Sequence, residues 1–512
     1  MGVGPPAPED RSARARVPPA RLAAAAGLIA AAYVVTRFLF IDRFPYFLDE
    51  GTYAVFSNRA AHATGDLFYS FTIGREPLMF WLGIPWIKLG VNPLVSVRLV
   101  SAVAGLLTLV FIGLLAKRLG GTAAGLTAAA LCVVMPFFLV HDGIGIIEPM
   151  VTLVMAAALY LQVELARRPD LRIAALLGLV LAAGVLTKEN TKPALALVPL
   201  SLLCFDWNAP ERRQRLTRWL AGIGIAAVMV VGALLLLRTS SLYHLYEESR
   251  KNPLLYTVRP LGDVLRHPFA EVGKTWATYR PAFGGYVTIP LIGAALAGAI
   301  LGLRRQPRLT ALLLAWILVP LAVSMLFSTL PYPRHVMYVM PAAIALMAYA
   351  LVEAVTWART AMARAAGLVS AVAVAALLTP ALLLDARVLA HPDTARYPGT
   401  DDLQYVTGTG GGSVWPAVAD AIRARAKGPK VPILTTRSYS QVLEMLLGPD
   451  PRYVFVPGKS PLAPRAQFSL EDKEIPFYDP DAVRVVKAGN FVEIGRYARP
   501  RGGAVLVLSQ RR

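Results

Sequence analysis

Eleven apolar segments, each close to the length a helix needs to cross a bilayer, constrain this chain more than any other feature of its sequence. About 20 residues at 1.5 Å per residue cover the hydrocarbon. Such segments fall near 23–41, 95–116, 121–140, 149–166, 171–187, 191–207, 219–238, 286–303, 309–328, 336–354 and 364–384. Glycine and alanine are dense within them, as close helix packing in lipid favours. The first segment follows Arg11, Arg14, Arg16 and Arg21 and so resembles a secretion signal. It runs on to Phe40 with no small-residue cleavage pattern after it, and is read as the first span.

Charge gives the orientation. The 512 residues include 52 Lys+Arg against 32 Asp+Glu, a formal charge of +20, beside a mean hydropathy of +0.52. A nucleic-acid binder would spread that excess over a polar surface; here it stands in short clusters between apolar runs, which speaks for membrane lipids as partners and against nucleic acid. With the N-terminus cytoplasmic, the inside loops hold Arg11–Arg21, Lys117-Arg118, Arg167-Arg168, Arg212-Arg213-Arg215-Arg218, Arg304-Arg305-Arg308 and Arg359-Arg364, the bias the positive-inside rule describes. Cys132 and Cys204 lie in apolar stretches and read as small buried hydrophobes.

The expected organisation is a polytopic α-helical membrane protein with a C-terminal extracytoplasmic α/β domain. Residues 1–22 form a basic cytoplasmic start, 23–385 the membrane domain with long outer loops at 42–94 and 239–285, and 386–512 the external domain. In that domain Val431–Leu434, Tyr453–Val456, Phe491–Ile494 and Ala504–Leu508 read as strands, Val414–Ala426 and Ser438–Leu447 as helices. Gly408–Gly412 has neither dinucleotide nor P-loop spacing and reads as a flexible joint. In the outer loops, Thr52–Ala63 and Leu242–Glu248 read as amphipathic helices on the membrane surface.

The chemistry-bearing groups gather at the predicted outer ends. Asp49 and Glu50 follow the first span, Asp142 ends the third, and Glu148 with Pro149 opens the fourth. Glu148 suits a capping role as well as a catalytic one, whereas a lone carboxylate such as Asp142 at an apolar boundary marks a cavity or a partner. Arg75, Arg98, Lys188, Lys192, Arg334 and His335 stand outside against the charge bias. Each alone could reach the headgroups or pair with an acid; several together opposite carboxylates make an anion site. Such a site would stabilise a departing lipid phosphate, while a carboxylate beside an acceptor hydroxyl serves as general base. A transporter or lipid flippase would instead place polar groups near the midplane and show inverted repeats; no internal repeat is visible. A scaffold that presents its C-terminal domain leaves the polar groups without a role.

The segments LDEGTYA (48–54), GREPLMFWL (74–82), VRLVSAVAGLLTLVFIGLLAKRLGG (97–121), HDGIGIIEP (141–149), LTKEN (186–190) and YPRHVMYVMP (332–341) occur in an order that resembles the membrane glycosyltransferases of the GT-C fold, nearest in pattern to the protein O-mannosyltransferase and aminoarabinose-transferase-like superfamily. The resemblance covers residues 20 to about 350. It implies the GT-C fold, beside the eleven spans read from hydropathy, and transfer of a sugar from a polyprenyl-phosphate donor to a glycan, lipid or protein acceptor on the outer face, where attack opposite the leaving phosphate would invert the anomeric centre. It also implies Asp49 as the catalytic aspartate with Glu50 beside it, Asp142 as a second acid facing the same chamber, and Arg75, Lys188 and Arg334, with Arg98 and His335, around the donor phosphate. His141 and Glu148 are secondary candidates. No fixed-spacing metal motif occurs, so a divalent cation stays an open option for Asp49, Glu50, Asp142, Glu148 and His141. The abundance of glycine, alanine and arginine fits a bacterial plasma membrane.

Overall fold

Proline placement sets many helix boundaries, because a proline in the first turn removes an amide that has no partner there anyway. A computed structural model describes residues 18–252, 257–362, 366–448, 450–473 and 480–512; Arg11, Arg14, Arg16 and Arg364 lie outside the described residues. Helix α1 is Pro19–Phe38, followed by α2 (Leu48–His62) and α3 (Leu78–Lys88). Asn92 accepts from the Leu94 amide at 2.9 Å to start α4 (Pro93–Val134). Then come α5 (Pro136–Gly143), α6 (Glu148–Arg167), α7 (Leu171–Thr187), α8 (Lys192–Ala196), α9 (Arg212–Arg238) and α10 (Tyr243–Lys251). The bundle continues with α11 (Leu261–Arg266), α12 (Val272–Ala282), α13 (Ile289–Arg305), α14 (Pro307–Phe327), α15 (Met340–Met362) and α16 (Ala366–Ala390).

Among the described residues eight helices are long and apolar enough to cross a membrane, where the sequence predicts eleven spans. The difference has three sources. The spans at 95–116 and 121–140 join in α4, whose 42 residues break at Gly120 and Gly121, the latter at φ 77°. The chain turns back there, and the two arms pack so closely that a Cβ on Gly125 would sit 2.7 Å from the Gly113 carbonyl oxygen. The span at 171–187 is a helix of only 17 residues. The segment 191–207 is broken by Pro193 and Pro199 into α8 and a 3-10 stretch, Val198–Cys204.

The C-terminal part is a five-stranded sheet with helices α17 (Trp415–Arg425), α18 (Arg437–Leu447) and α19 (Pro480–Ala488). Its strands are β1 (Val431–Leu434), β2 (Tyr453–Val456), β3 (Phe468–Asp472), β4 (Phe491–Ala498) and β5 (Val505–Arg511), in the order β2-β1-β3-β5-β4. β1 runs parallel to β2 and β3, and β5 antiparallel to β3 and β4. Trp415, Ile433, Leu443, Leu470 and Leu508 are buried in its core.

Two expectations about the connecting segments are overturned. Helix α2 does not lie on the membrane surface: Glu50 through Ser57 are buried, with Tyr53 and Phe56 against Phe80. On its other side Thr52 donates to Gln441 of α18 at 2.6 Å, and Gly51 faces Val442 with no room for a Cβ. The 408–412 run is no free joint either. Buried Arg499 donates to the carbonyls of Thr409 and Gly411 at 2.9 Å each, and a Cβ on Gly412 would collide with the Tyr46 carbonyl. The C-terminal domain is thus fixed over the first loop and α2.

Candidate active site

The first turn of α2, the start of α6, the end of α7 and the segment before α15 converge on a charged cluster. Glu148, the first residue of α6, is buried, and its Oε1 accepts from Lys188 Nζ at 2.6 Å. Arg334 Nε and His335 Nε2 each stand 3.8 Å from the same oxygen. Arg334 also donates to Asp49 Oδ2 at 3.0 Å and to Gln404 Oε1, and its guanidinium lies over the Tyr332 and Phe47 rings at 4.6 and 5.2 Å. Arg75 and the buried Tyr53 both lie within electrostatic reach of Asp49 and Glu148. The Asp49 side chain keeps 41% exposure, against 7% for Arg334 and 6% for Glu148. Burial pulls the Lys188 ammonium below its ordinary pKa, with Glu148 opposing and Arg75 reinforcing that shift.

A cavity of about 470 Å³ opens beside the cluster. Arg75, Lys188 and His335 stand on its polar side, while Val319, Val323 and Phe327 of α14 line it with Pro193 and Ala196. The three α14 residues are spaced four apart and so form one face of the helix. One cavity therefore joins an end lined by cationic side chains to an apolar groove. The surplus of cations over Asp49 and Glu148 suits an anion better than a metal. Among the described residues no group of three or more His, Cys, Asp or Glu side chains could hold a metal ion.

Of the residues singled out from sequence, Asp49, Arg75, Glu148, Lys188, Arg334 and His335 come together here. Glu50 and Arg98 do not join them. They form a buried bidentate pair, Arg98 Nε and Nη2 each 2.8 Å from a Glu50 oxygen. Glu50 also accepts from the amides of Phe47 and Gly145, and Arg98 donates to the carbonyls of Ile41 and Pro45. This pair ties α2 to α4 and to the loops on either side.

Among the described residues no hydrogen bond or ion pair joins Asp142 to Asp49. Asp142 is fully buried and accepts from Tyr33 of α1 at 3.0 Å, with Arg37 and His141 as neighbours; none of these is bonded to the cluster around Glu148. His141 is buried too, with Nδ1 2.7 Å from the Phe137 carbonyl and Nε2 3.1 Å from Asp401. Tyr286 donates to the same Asp401 oxygen at 2.8 Å. The sequence reading missed Tyr53, Asp401, Gln404 and Tyr405. The last three enter because the segment after α16 folds back over Phe47 and Arg334: the Tyr405 ring lies 5.0 Å from that of Phe47, Gln404 accepts from Arg334, and Asp401 lies within electrostatic reach of Arg334. The Asp401-Asp402 pair is the signal that the sequence offers there.

The arrangement and the backbone give a polytopic helical fold with a cluster of charged side chains at the helix ends and a C-terminal domain built on a β-sheet. Residues 75–236 match the family described as dolichyl-phosphate-mannose-protein mannosyltransferase. No curated protein sequence matches the chain. Among solved structures, ArnT from Cupriavidus metallidurans in the apo state gives a TM-score of 0.60 at 16% identity, over 95% of this chain and 98% of that one. The same protein bound to undecaprenyl phosphate gives 0.57 at 15% identity, over 96% and 98%. The archaeal oligosaccharyltransferase AglB from Archaeoglobus fulgidus, in complex with an inhibitory peptide and a dolichol-phosphate, gives 0.56 at 12% identity, over 94% and 74%. The chain has the GT-C fold that its sequence blocks predict.

Proposed function

We propose that this chain is an inverting glycosyltransferase that moves a sugar from a polyprenyl-phosphate donor to an acceptor hydroxyl or similar group on the outer face of the membrane. The cavity shared by Arg75, Lys188, His335 and the α14 groove carries this reading, because it offers an anion site continuous with an apolar trough. The solved relatives holding undecaprenyl phosphate and dolichol-phosphate support it. So does the grouping of the charges toward the outer ends expected of these helices rather than near the midplane, where a transporter would need them.

In this reading the polyprenyl chain lies along Val319, Val323 and Phe327, and the phosphate meets Arg75, Lys188 and Arg334. Glu148 holds Lys188 and Arg334 in place and offsets part of their mutual repulsion. The acceptor oxygen attacks the anomeric carbon as the bond to the phosphate oxygen breaks. The electron pair leaves with the polyprenyl phosphate, whose growing charge the three cations stabilise in a water-poor pocket. The acceptor proton passes to Asp49, which Arg334 orients through Oδ2. Attack opposite the leaving phosphate inverts the anomeric centre. Eleven crossings, counting α4 twice and adding α7 and 191–207, would place the N-terminus in the cytoplasm of a bacterial cell and the domain from 386 onward outside.

The test is turnover of radiolabelled polyprenyl-phosphate sugars by the purified protein in lipid nanodiscs, with Asp49→Asn compared. Loss of a general base lowers rate by about 10²- to 10⁴-fold, and donor binding should persist. Near-normal turnover in the variant would remove Asp49 from that role.

A further inference from the structure

A second cavity, of about 1080 Å³, opens at the other end of the bundle. Helix α6 links the two sites: its 20 residues span about 30 Å from Glu148 in the first cavity's cluster to Arg167 in the wall of the second. Six arginines from four places line this hollow: Arg118 before the α4 break, Arg167 and Arg168 at the end of α6, Arg215 and Arg218 at the start of α9, and Arg308 at the start of α14. Four carboxylates line it as well, so six positive charges less four negative ones leave an excess of two.

Three of those carboxylates are engaged. Glu164 holds Arg118 through two contacts of 2.6 Å. Asp170 caps α7 by accepting from the Arg172 and Ile173 amides. Asp206 stands 3.7 Å from Arg215. Among the described residues Arg167, Arg168 and Arg308 have no carboxylate ion pair. A positive-inside bias explains why these loops are basic, but not why four of them converge on one hollow. Like charges gathered in a cleft raise the local potential and draw in an anion.

The wall indicates where that anion comes from. Leu200, Leu203 and Trp207 are 38%, 37% and 41% exposed, and they flank Cys204, Phe205 and Asp206, which line the cavity. Apolar side chains and a tryptophan beside a basic hollow match the headgroup level of a bilayer. We propose that this cavity binds the phosphate ester of an anionic membrane lipid. The forked guanidinium groups of Arg167, Arg168 and Arg308 take the phosphate oxygens, and the acyl chains lie along Leu200 and Leu203.

The test uses the full chain, with phosphatidylglycerol binding measured by native mass spectrometry and by titration in detergent micelles. Replacing all three arginines by glutamine (R167Q/R168Q/R308Q) should weaken binding about tenfold or more. R167K/R168K/R308K, which keeps the loop charge, should also weaken it through loss of the bidentate fork, and serves if the first variant fails to fold. Lys188→Met should leave this binding unchanged, which separates the site from the donor cavity. Wild-type affinity in the folded arginine variants, or equal binding of phosphatidylcholine, would overturn the proposal. Displacement of the lipid by millimolar inorganic phosphate would assign the site to a soluble anion and overturn the lipid source.

Discussion

Lys188→Met removes the ammonium that sits 2.6 Å from Glu148 and, in the proposed mechanism, contacts the donor phosphate. A hydrogen bond to a charged partner contributes about 1.5–3 kcal/mol, so donor Kd should rise about 10- to 150-fold. The upper part of that range is expected, because Glu148 would then hold only Arg334 and His335, both at 3.8 Å, and would draw Arg334 away from the phosphate. The acceptor side, built on Asp49, should keep its KM. The depressed pKa of Lys188 adds a pH signature. The charged form binds phosphate, so wild-type affinity should be full at lower pH and fall as pH rises through a value below that of an ordinary lysine. The variant should lack that step. Equilibrium binding of radiolabelled polyprenyl phosphate in nanodiscs, across a pH series, reads both effects. Wild-type Kd in the variant, or an unchanged pH step, would refute the assignment of Lys188 to the donor phosphate.

Filling the groove by Val323→Trp should raise the donor KM while short-chain phosphates bind as before, since only the long chain needs the α14 face; competition assays with donors of different chain length check this. Glu50→Gln leaves Arg98 buried without its charge partner, which costs about 3–5 kcal/mol. The expected result is a clear drop in Tm by thermal unfolding in detergent, far larger than for Asp49→Asn, whose side chain is 41% exposed.

Long apolar runs made most of the bundle legible: α6, α9, α14 and α15 stand where hydropathy puts them. The Lys-Arg-Leu-Gly-Gly turn was legible as well, because only glycine adopts the φ of 77° at Gly121 without strain. Basic residues placed against the charge bias pointed to Arg75, Lys188 and Arg334, which share Glu148 as a neighbour, but equally to Arg98, which pairs with Glu50 instead. Asp142 and Glu148 show the limit of that reasoning. Both are carboxylates at helix ends, only six positions apart, yet one turns toward Tyr33 and the other toward Lys188. Only the packing of α1 and α7 decides between them. Glu50 and Asp49 part for a related reason, since Asp49 meets Arg334 while Glu50 meets Arg98. Strand β3 was missed because FSLED carries two acids in place of an apolar run, and Asp401, Gln404 and Tyr405 because a return of the chain over the site leaves no periodic trace.

The most direct test of the account is a cryo-EM structure of the full chain in nanodiscs with a polyprenyl phosphate. The account predicts phosphate density within hydrogen-bonding distance of Lys188 and Arg75, with the chain running along Val319, Val323 and Phe327. Lipid phosphate bound elsewhere, with the cavity beside Glu148 holding none, would contradict it.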